Sequence, residues 1–357
     1  MVSSISPLNT YKAPASTLSQ KPVHIAGILT TVFGLDELPD GTSEVVVLWL
    51  MHPRLDTKED MAGVATTIVD HWNRTPANKR RGLIAVAFDA RNHGTRLVDA
   101  LSNETWRTGN EKHAQDMFSV YTSTARDVSL LIDYLPGYIF PTAERTISTH
   151  FVLGVSLGGH AAWNCLVHEP RITAGVVVVG MPDYVNLMTD RARLSKLSSW
   201  TKSDPPGANF LGSQHFPASL LETVSKYDPA AFLFGNLAGN GPTKAASLPD
   251  PSSPAEKEQI RPRLNQLRGK RILTLSGIAD KLVPHRTSDP FLSWLKRAVA
   301  PDGWFGDGCV HLEDLRFEGA AHDFTPTMMN EVLRFVDESM SALDAPTNAG
   351  TVREAKI

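Results

Sequence analysis

Apolar residues along this chain come in unbroken runs rather than in alternation. Such runs lie at Glu44 to Leu50, Leu83 to Phe88, Thr149 to Leu153, Ala174 to Val179 and Arg271 to Leu275. A strand covered on one face alternates apolar and polar residues, whereas a strand covered on both reads as a continuous apolar block. The runs therefore predict a buried, mostly parallel sheet. Between them the period shifts to that of a helix. Thr57-Lys58-Glu59-Asp60 has the form of a capping box and opens a predicted helix to about Trp72. Val128, Leu131, Ile132 and Leu135 stand at i, i+3, i+4 and i+7, and Pro136-Gly137 predicts the end of that helix. Alternating strands and helices with right-handed crossovers give an α/β, doubly wound, mostly parallel sheet.

The rhythm breaks after Gly180. From Met181 to about Gln266 no strand pattern is visible. Helices are expected near Tyr184–Leu197 and Pro217–Tyr227, followed by a stretch dense in Gly, Pro, Ser and Asn between Gly235 and Pro254. The expected organisation is an N-terminal extension (1–22), a core (23–180 and 266–343), a helical insertion (181–265) and a loose tail (344–357). A last helix is expected from about Pro326 to Leu343, and there are no internal repeats.

Composition narrows the function classes. With 357 residues, 42% of them hydrophobic and 20% charged, the chain can bury a large core. A formal net charge of −3 speaks against nucleic acid as the main partner. The longest pure aliphatic stretch, Val176 to Val179, is strand-sized, so no transmembrane segment is expected. Met1 to Gln20 is rich in Ser, Thr and Pro and lacks the basic and apolar regions of a secretory signal. Two cysteines, Cys165 and Cys309, are too few for a disulfide framework and lack metal-site spacing, so both are read as reduced thiols of an intracellular protein.

The chemistry centres on Gly154-Val155-Ser156-Leu157-Gly158, which follows the apolar Phe151-Val152-Leu153 and precedes the small-residue segment Gly159-His160-Ala161-Ala162. This is G-x-S-x-G between a strand and a helix, with the serine held at the tip of a sharp turn. A serine needs a base within hydrogen-bond reach, and the base needs an orienting group. Asp280 follows the strand at Arg271–Leu275 and is the candidate acid. His322 follows a short strand with a glycine-containing turn and is the candidate base. Asp183 also follows a strand and rivals Asp280, while His285 and His311 rival His322.

These three groups, in the order Ser, Asp, His, give the chain its resemblance to the serine hydrolases of the α/β-hydrolase superfamily, esterase- or thioesterase-like, with the insertion where that superfamily carries its lid. The likeness spans roughly 23–180 and 266–343. It implies Ser156 as nucleophile, His322 as general acid/base and Asp280 as the carboxylate that orients it. It also implies a backbone oxyanion site, with one N–H from Leu157 and a second from a His-Gly-x segment after the third strand. Here that segment reads Met51-His52-Pro53-Arg54, a departure from the pattern. Proline has no N–H, so Arg54 or Leu55 must supply the donor, and Arg54 is preferred.

Other residues have plainer readings. His52 is expected to bond loop backbone. Asp89-Ala90-Arg91-Asn92-His93-Gly94 resembles a structural turn of the superfamily, with Asn92 or His93 near the pocket as the lesser alternative. Trp200, Phe210, Phe216, Tyr227, Phe232 and Phe234 are expected to pack the insertion, with one or two facing an apolar acyl pocket. Cys165 reads as a small buried hydrophobe. Ala355-Lys356-Ile357 resembles variants of the Ser-Lys-Leu peroxisomal address, which adds an import receptor as a partner and makes the expected location peroxisome or cytoplasm. The expected activity is hydrolysis of an ester or thioester of a small-molecule substrate, without metal or organic cofactor. A peptidase or amidase on the same triad, or a non-catalytic binding protein on the same fold, stays open.

Overall fold

In chain order the strands are β1 (Gln20–Ile25), β2 (Ile28–Phe33), β3 (Glu44–Met51), β4 (Arg81–Phe88), β5 (Thr146–Val155), β6 (Ile172–Val178), β7 (Arg271–Gly277) and β8 (His311–Phe317). They come from a computed structural model that describes residues 6–11, 17–75, 81–234, 250–251 and 253–344. All eight lie in one sheet, in the order β1-β2-β4-β3-β5-β6-β7-β8. The hairpin β1–β2 and the pairing of β2 with β4 are antiparallel. From β4 through β8 every pairing is parallel.

The continuous apolar runs follow from burial on both faces. On β3, Val45, Val47, Trp49 and Met51 enter one core, together with α2 (His113–Ile139), α3 (Leu157–His168) and α9 (Asp289–Val299). The alternating Val46, Leu48 and Leu50 enter the other core, packed by α1 (Ala62–Arg74) and α10 (Pro326–Ala342). The antiparallel hairpin escapes this pattern: on β1 only Val23 and Ile25 are buried. The sheet therefore begins at Gln20, inside the stretch expected to be an extension.

One helix end differs from expectation, and one terminal segment is held by bonds the sequence does not announce. Helix α2 does not stop at Pro136-Gly137 but runs on to Ile139, with the Phe140 N–H donating to the Pro136 carbonyl at 2.9 Å. Proline forfeits one hydrogen bond in a helix, but Ile139 lies four residues past the buried Leu135 and is buried in the same core, as is Phe140. Burial carries the last turn past the proline. The N-terminal segment is also tied down: the Pro7 carbonyl accepts from the Phe324 N–H at 2.8 Å, and the Thr10 hydroxyl donates to the Phe324 carbonyl at 2.9 Å.

Between β6 and β7 the described residues form helices joined by turns and no strand: α4 (Tyr184–Leu194), α5 (Ser198–Thr201), α6 (Ala218–Tyr227), α7 (Pro229–Phe234) and α8 (Pro254–Leu264). Among the described residues no helix is long and apolar enough to cross a membrane. The Gly- and Pro-rich stretch 235–249 and the C-terminal Ala355, Lys356 and Ile357 lie outside the described residues.

Register decides where chemistry can collect. Met51 of β3 stands beside Gly154 of β5, Val155 beside Val178 of β6, and Gly277 of β7 beside Phe317 of β8. The carboxyl ends of six parallel strands, β4 included, thus open on one edge, where open α/β sheets place their ligands.

Candidate active site

Strand β5 ends at Val155 and α3 begins at Leu157, so Ser156 alone makes the turn. Its φ of 55° and ψ of −113° lie in a region that non-glycine residues rarely adopt. Such a conformation costs about 1–3 kcal/mol and persists only where its surroundings impose it. Two glycines make the surroundings tight enough. A Cβ on Gly154 would lie 1.9 Å from the Gly158 carbonyl oxygen, and one on Gly158 would lie 2.0 Å from the carbonyl oxygen of Met51. Gly158→Ala is therefore expected to cost about 1–3 kcal/mol by overpacking and to displace the start of α3. Thermal unfolding and reaction of Ser156 with a fluorophosphonate would register both effects.

The turn presents Ser156 Oγ 2.8 Å from Nε2 of His322, on the loop after β8. Nδ1 of the same ring lies 2.8 Å from Oδ2 of Asp280, on the loop after β7. The other oxygen of Asp280 accepts the N–H groups of Leu282 (2.8 Å) and Val283 (2.9 Å). Burial pushes the Asp280 carboxyl up, but its bonds to His322 and to these two amides outweigh burial and hold it below the usual carboxylate range. Asp280 is thus a buried, fixed anion that selects the imidazole tautomer with hydrogen on Nδ1, leaving Nε2 to accept from Ser156.

The rivals lie elsewhere. Asp183 caps α4, accepting the Asn186 N–H at 3.0 Å. His285 pairs with Asp289 and His311 with Glu313. Cys165 is fully buried, which raises its thiol pKa and keeps it protonated.

Leu157 is the first residue of α3, so no carbonyl of its own helix reaches its N–H. Among the described residues the Arg54 N–H likewise has no acceptor within the protein. Pro53, Arg54, Ser156 and His322 line one cavity of about 140 Å³. Its remaining wall includes Trp106, Arg107, Arg191, Leu194, Lys281 and Leu282, with Ser6 and Pro7 of the N-terminal segment closing it. None of the six aromatics singled out in the 181–265 segment contributes to this wall. Phe210 and Phe216 are buried against Trp106, Tyr184 and each other, and Phe234 packs on Trp294. Their contacts with the main core hold them away from the cavity, so none of the six faces it as expected; Trp106, Leu194 and Leu282 supply apolar wall there instead.

His52 secures the loop behind Pro53. Its Nδ1 donates to the Pro53 carbonyl at 2.7 Å and its Nε2 accepts from the Ala90 N–H at 2.9 Å. That pairing needs a neutral ring, and burial holds its pKa down at about 4. His160, which accepts the Met181 N–H at 3.0 Å, is lowered to about 3, again chiefly by burial. The turn 89–94 is structural: Asp89 accepts from Lys58 Nζ at 3.0 Å and from the Thr95 amide and hydroxyl, and neither Asn92 nor His93 lines the cavity.

These two histidines predict a pH effect on stability. The unfolded chain binds protons below about 6.5, where the folded chain keeps both rings neutral. Stability is therefore full above pH 6.5 and is lost as pH falls towards 4, by about 1.4 kcal/mol per pH unit for each ring. A melting temperature unchanged between pH 7.5 and pH 5 would contradict the neutral, buried assignment.

No family model matches the chain, and no curated protein matches it in sequence. Solved structures do match. TT1662 from Thermus thermophilus is 16% identical, with 90% of this chain and 98% of that one covered and a TM-score of 0.52. A dipeptidyl aminopeptidase IV candidate from Bacteroides ovatus is 11% identical, with 95% of this chain covered and a TM-score of 0.51. This chain spans 37% of that protein's length. The eight-stranded, mostly parallel sheet with flanking helices accords with these matches. The chain has the α/β-hydrolase fold.

Within that fold the residues that escaped sequence reasoning are those of the remaining cavity wall, beyond Arg54, Ser156 and His322. Arg191 sits in Asp190-Arg191-Ala192-Arg193, which reads as a solvated charged stretch, and Trp106 and Arg107 follow an irregular loop. No periodicity links them, because they meet only through tertiary packing. Among the described residues one cluster has metal-ligand geometry, His311, Glu313 and Glu338, but both carboxylates are bonded to Arg334, at 2.5 Å and 3.0 Å.

Proposed function

We propose that the chain is a serine hydrolase that cleaves a carboxylic ester or thioester through an acyl-enzyme. The observation that supports this most is the unbroken relay from Ser156 Oγ through His322 to the buried Asp280, opening on a cavity. Ser156 Oγ attacks the carbonyl carbon while its proton passes to His322 Nε2. The oxyanion takes the free N–H groups of Leu157 and Arg54, donors that need no reorganisation as charge develops. The C–O or C–S bond then breaks and His322 returns the proton to the leaving group. Water attacks the acyl-enzyme, gives a proton to His322, and the carboxylic acid leaves as Ser156 recovers its hydrogen. Asp280 stays ionised throughout and stabilises the imidazolium.

In this reading the 181–265 segment is the lid, a role supported by Arg191 and Leu194 of α4 in the cavity wall. Matched p-nitrophenyl esters, acyl-CoA thioesters and p-nitroanilides test the substrate class. The reading expects ester or thioester turnover well above that of the anilide. Dominant anilide cleavage would make the protein an amidase or peptidase, and failure of every substrate with Ser156 unreactive would favour a binding protein on the same fold.

A further inference from the structure

The wall of the cavity beside Ser156 includes four cations that have no anionic partner among the described residues. Arg191 donates to His113 Nε2 at 3.3 Å, to the Met117 thioether at 3.0 Å and to the Leu282 carbonyl at 3.2 Å. All three acceptors are neutral. His113 spends its Nδ1 on the Glu104 carbonyl at 2.9 Å and is kept uncharged by burial and by the two arginines. Arg54 donates to the Asn103 carbonyl at 2.5 Å. The neighbouring carboxylates are spent on other groups: Glu104 on the Thr108 hydroxyl, Asp190 on Arg193 and Arg286, and Asp280 on His322. Among the described residues no ion pair forms at Arg54, Arg107, Arg191 or Lys281, although all four line the cavity. Burial and the nearby Arg54 lower Arg191 to about 10, so its charge is retained at an energetic cost.

Arg54 and Arg191 are half-buried, and cations drawn partly out of water are ordinarily paired, because an uncompensated charge there is destabilising. Two guanidiniums facing one small cavity with only neutral acceptors leave the anion to come from outside. We infer that the cavity is an oxyanion-group subsite, in which Arg54 and Arg191 hold a carboxylate or phosphate that the substrate carries a few bonds from its scissile carbonyl. This rests on the hydrolase reading for the position of that carbonyl. At about 140 Å³ the cavity matches the scale of a space that accepts one benzene ring, roughly 150 Å³. The buried part of the substrate is accordingly short, on the scale of a half-ester of a C4–C6 dicarboxylic acid.

Monomethyl succinate, glutarate and adipate would be compared with methyl pentanoate, the near-isosteric neutral ester, and with methyl 4-phosphonobutanoate. The wild type is expected to prefer one anionic ester by about 100-fold in kcat/KM, the range expected for a charge-assisted contact in a desolvated site. Arg191→Gln should collapse that preference, and Arg191→Lys should restore part of it. A carboxylate or a phosphonate winner would identify the source of the anion, either result upholding the subsite. Equal kcat/KM for charged and neutral esters would overturn it.

A binding measurement separates this inference from the hydrolase reading. Calorimetry of Ser156→Ala with glutarate and with inorganic phosphate should show saturable binding of at least one, lost when Arg191→Gln is added. Such binding without turnover of any ester would uphold the anion subsite and sink the hydrolase. Turnover without anion preference or binding would do the reverse. Circular dichroism melts of the Arg191 variants would show whether each remains folded.

Discussion

Ser156→Ala is expected to abolish hydrolysis, with kcat lowered on the order of 10⁵- to 10⁶-fold, the loss seen when a serine nucleophile is removed from an intact triad. The reaction has no other route on this edge of the sheet. Cys165 is a buried, protonated thiol on α3, and among the described residues no other hydroxyl is bonded to His322. Ser156 Oγ makes a single hydrogen bond, to His322, and Ala accepts the same backbone strain as Ser. The folded state should therefore survive, with a melting temperature within a few degrees of wild type. Initial rates on p-nitrophenyl esters, paired with thermal unfolding, separate lost chemistry from lost structure.

Asp280→Asn is expected to lower kcat by about 10⁴-fold without unfolding the loop. The side-chain oxygen can still accept from the Leu282 and Val283 amides, which fix its position. Its NH₂ would then face His322 Nδ1, where Oδ2 of Asp280 now accepts at 2.8 Å. The ring would turn to the tautomer with hydrogen on Nε2, which cannot take a proton from Ser156. Single-turnover rates would report the loss, and Asp183→Asn serves as the control. Asp183 holds the start of α4 rather than a histidine, so its substitution should cost stability more than turnover. A severe loss of turnover from Asp183→Asn with a mild one from Asp280→Asn would exchange the two roles.

Much of the fold was legible because both faces of β3 to β7 are covered, which turns burial into unbroken apolar runs. The hairpin β1–β2 was not, since Lys21 and His24 face outward and only two residues of β1 are buried. The end of α2 was misread for a related reason: the proline rule is local, while the burial of Ile139 and Phe140 is tertiary. The elbow could be read because strand, glycines and helix are contiguous. Asp280 and His322 could be nominated because both follow strands that end on the same edge. The cavity wall could not. Arg54 was nominated, but only as a backbone donor beside the departing His-Pro segment; Arg191 and Lys281 come from separate segments, and a charged residue in sequence gives no sign of which way it faces. The aromatics were read correctly as packing residues and wrongly as pocket residues, since Phe210 and Phe216 turn towards Trp106, Tyr184 and each other instead of the cavity.

The central claim is that His322 and Asp280 activate Ser156. Reaction with a fluorophosphonate, followed by intact-mass and peptide mapping, tests it without knowledge of the natural substrate. One adduct per chain is expected, on the peptide containing Ser156, absent from Ser156→Ala and strongly slowed in Asp280→Asn. No adduct on folded wild-type protein, or an adduct on another residue at the same rate in all three proteins, would contradict it.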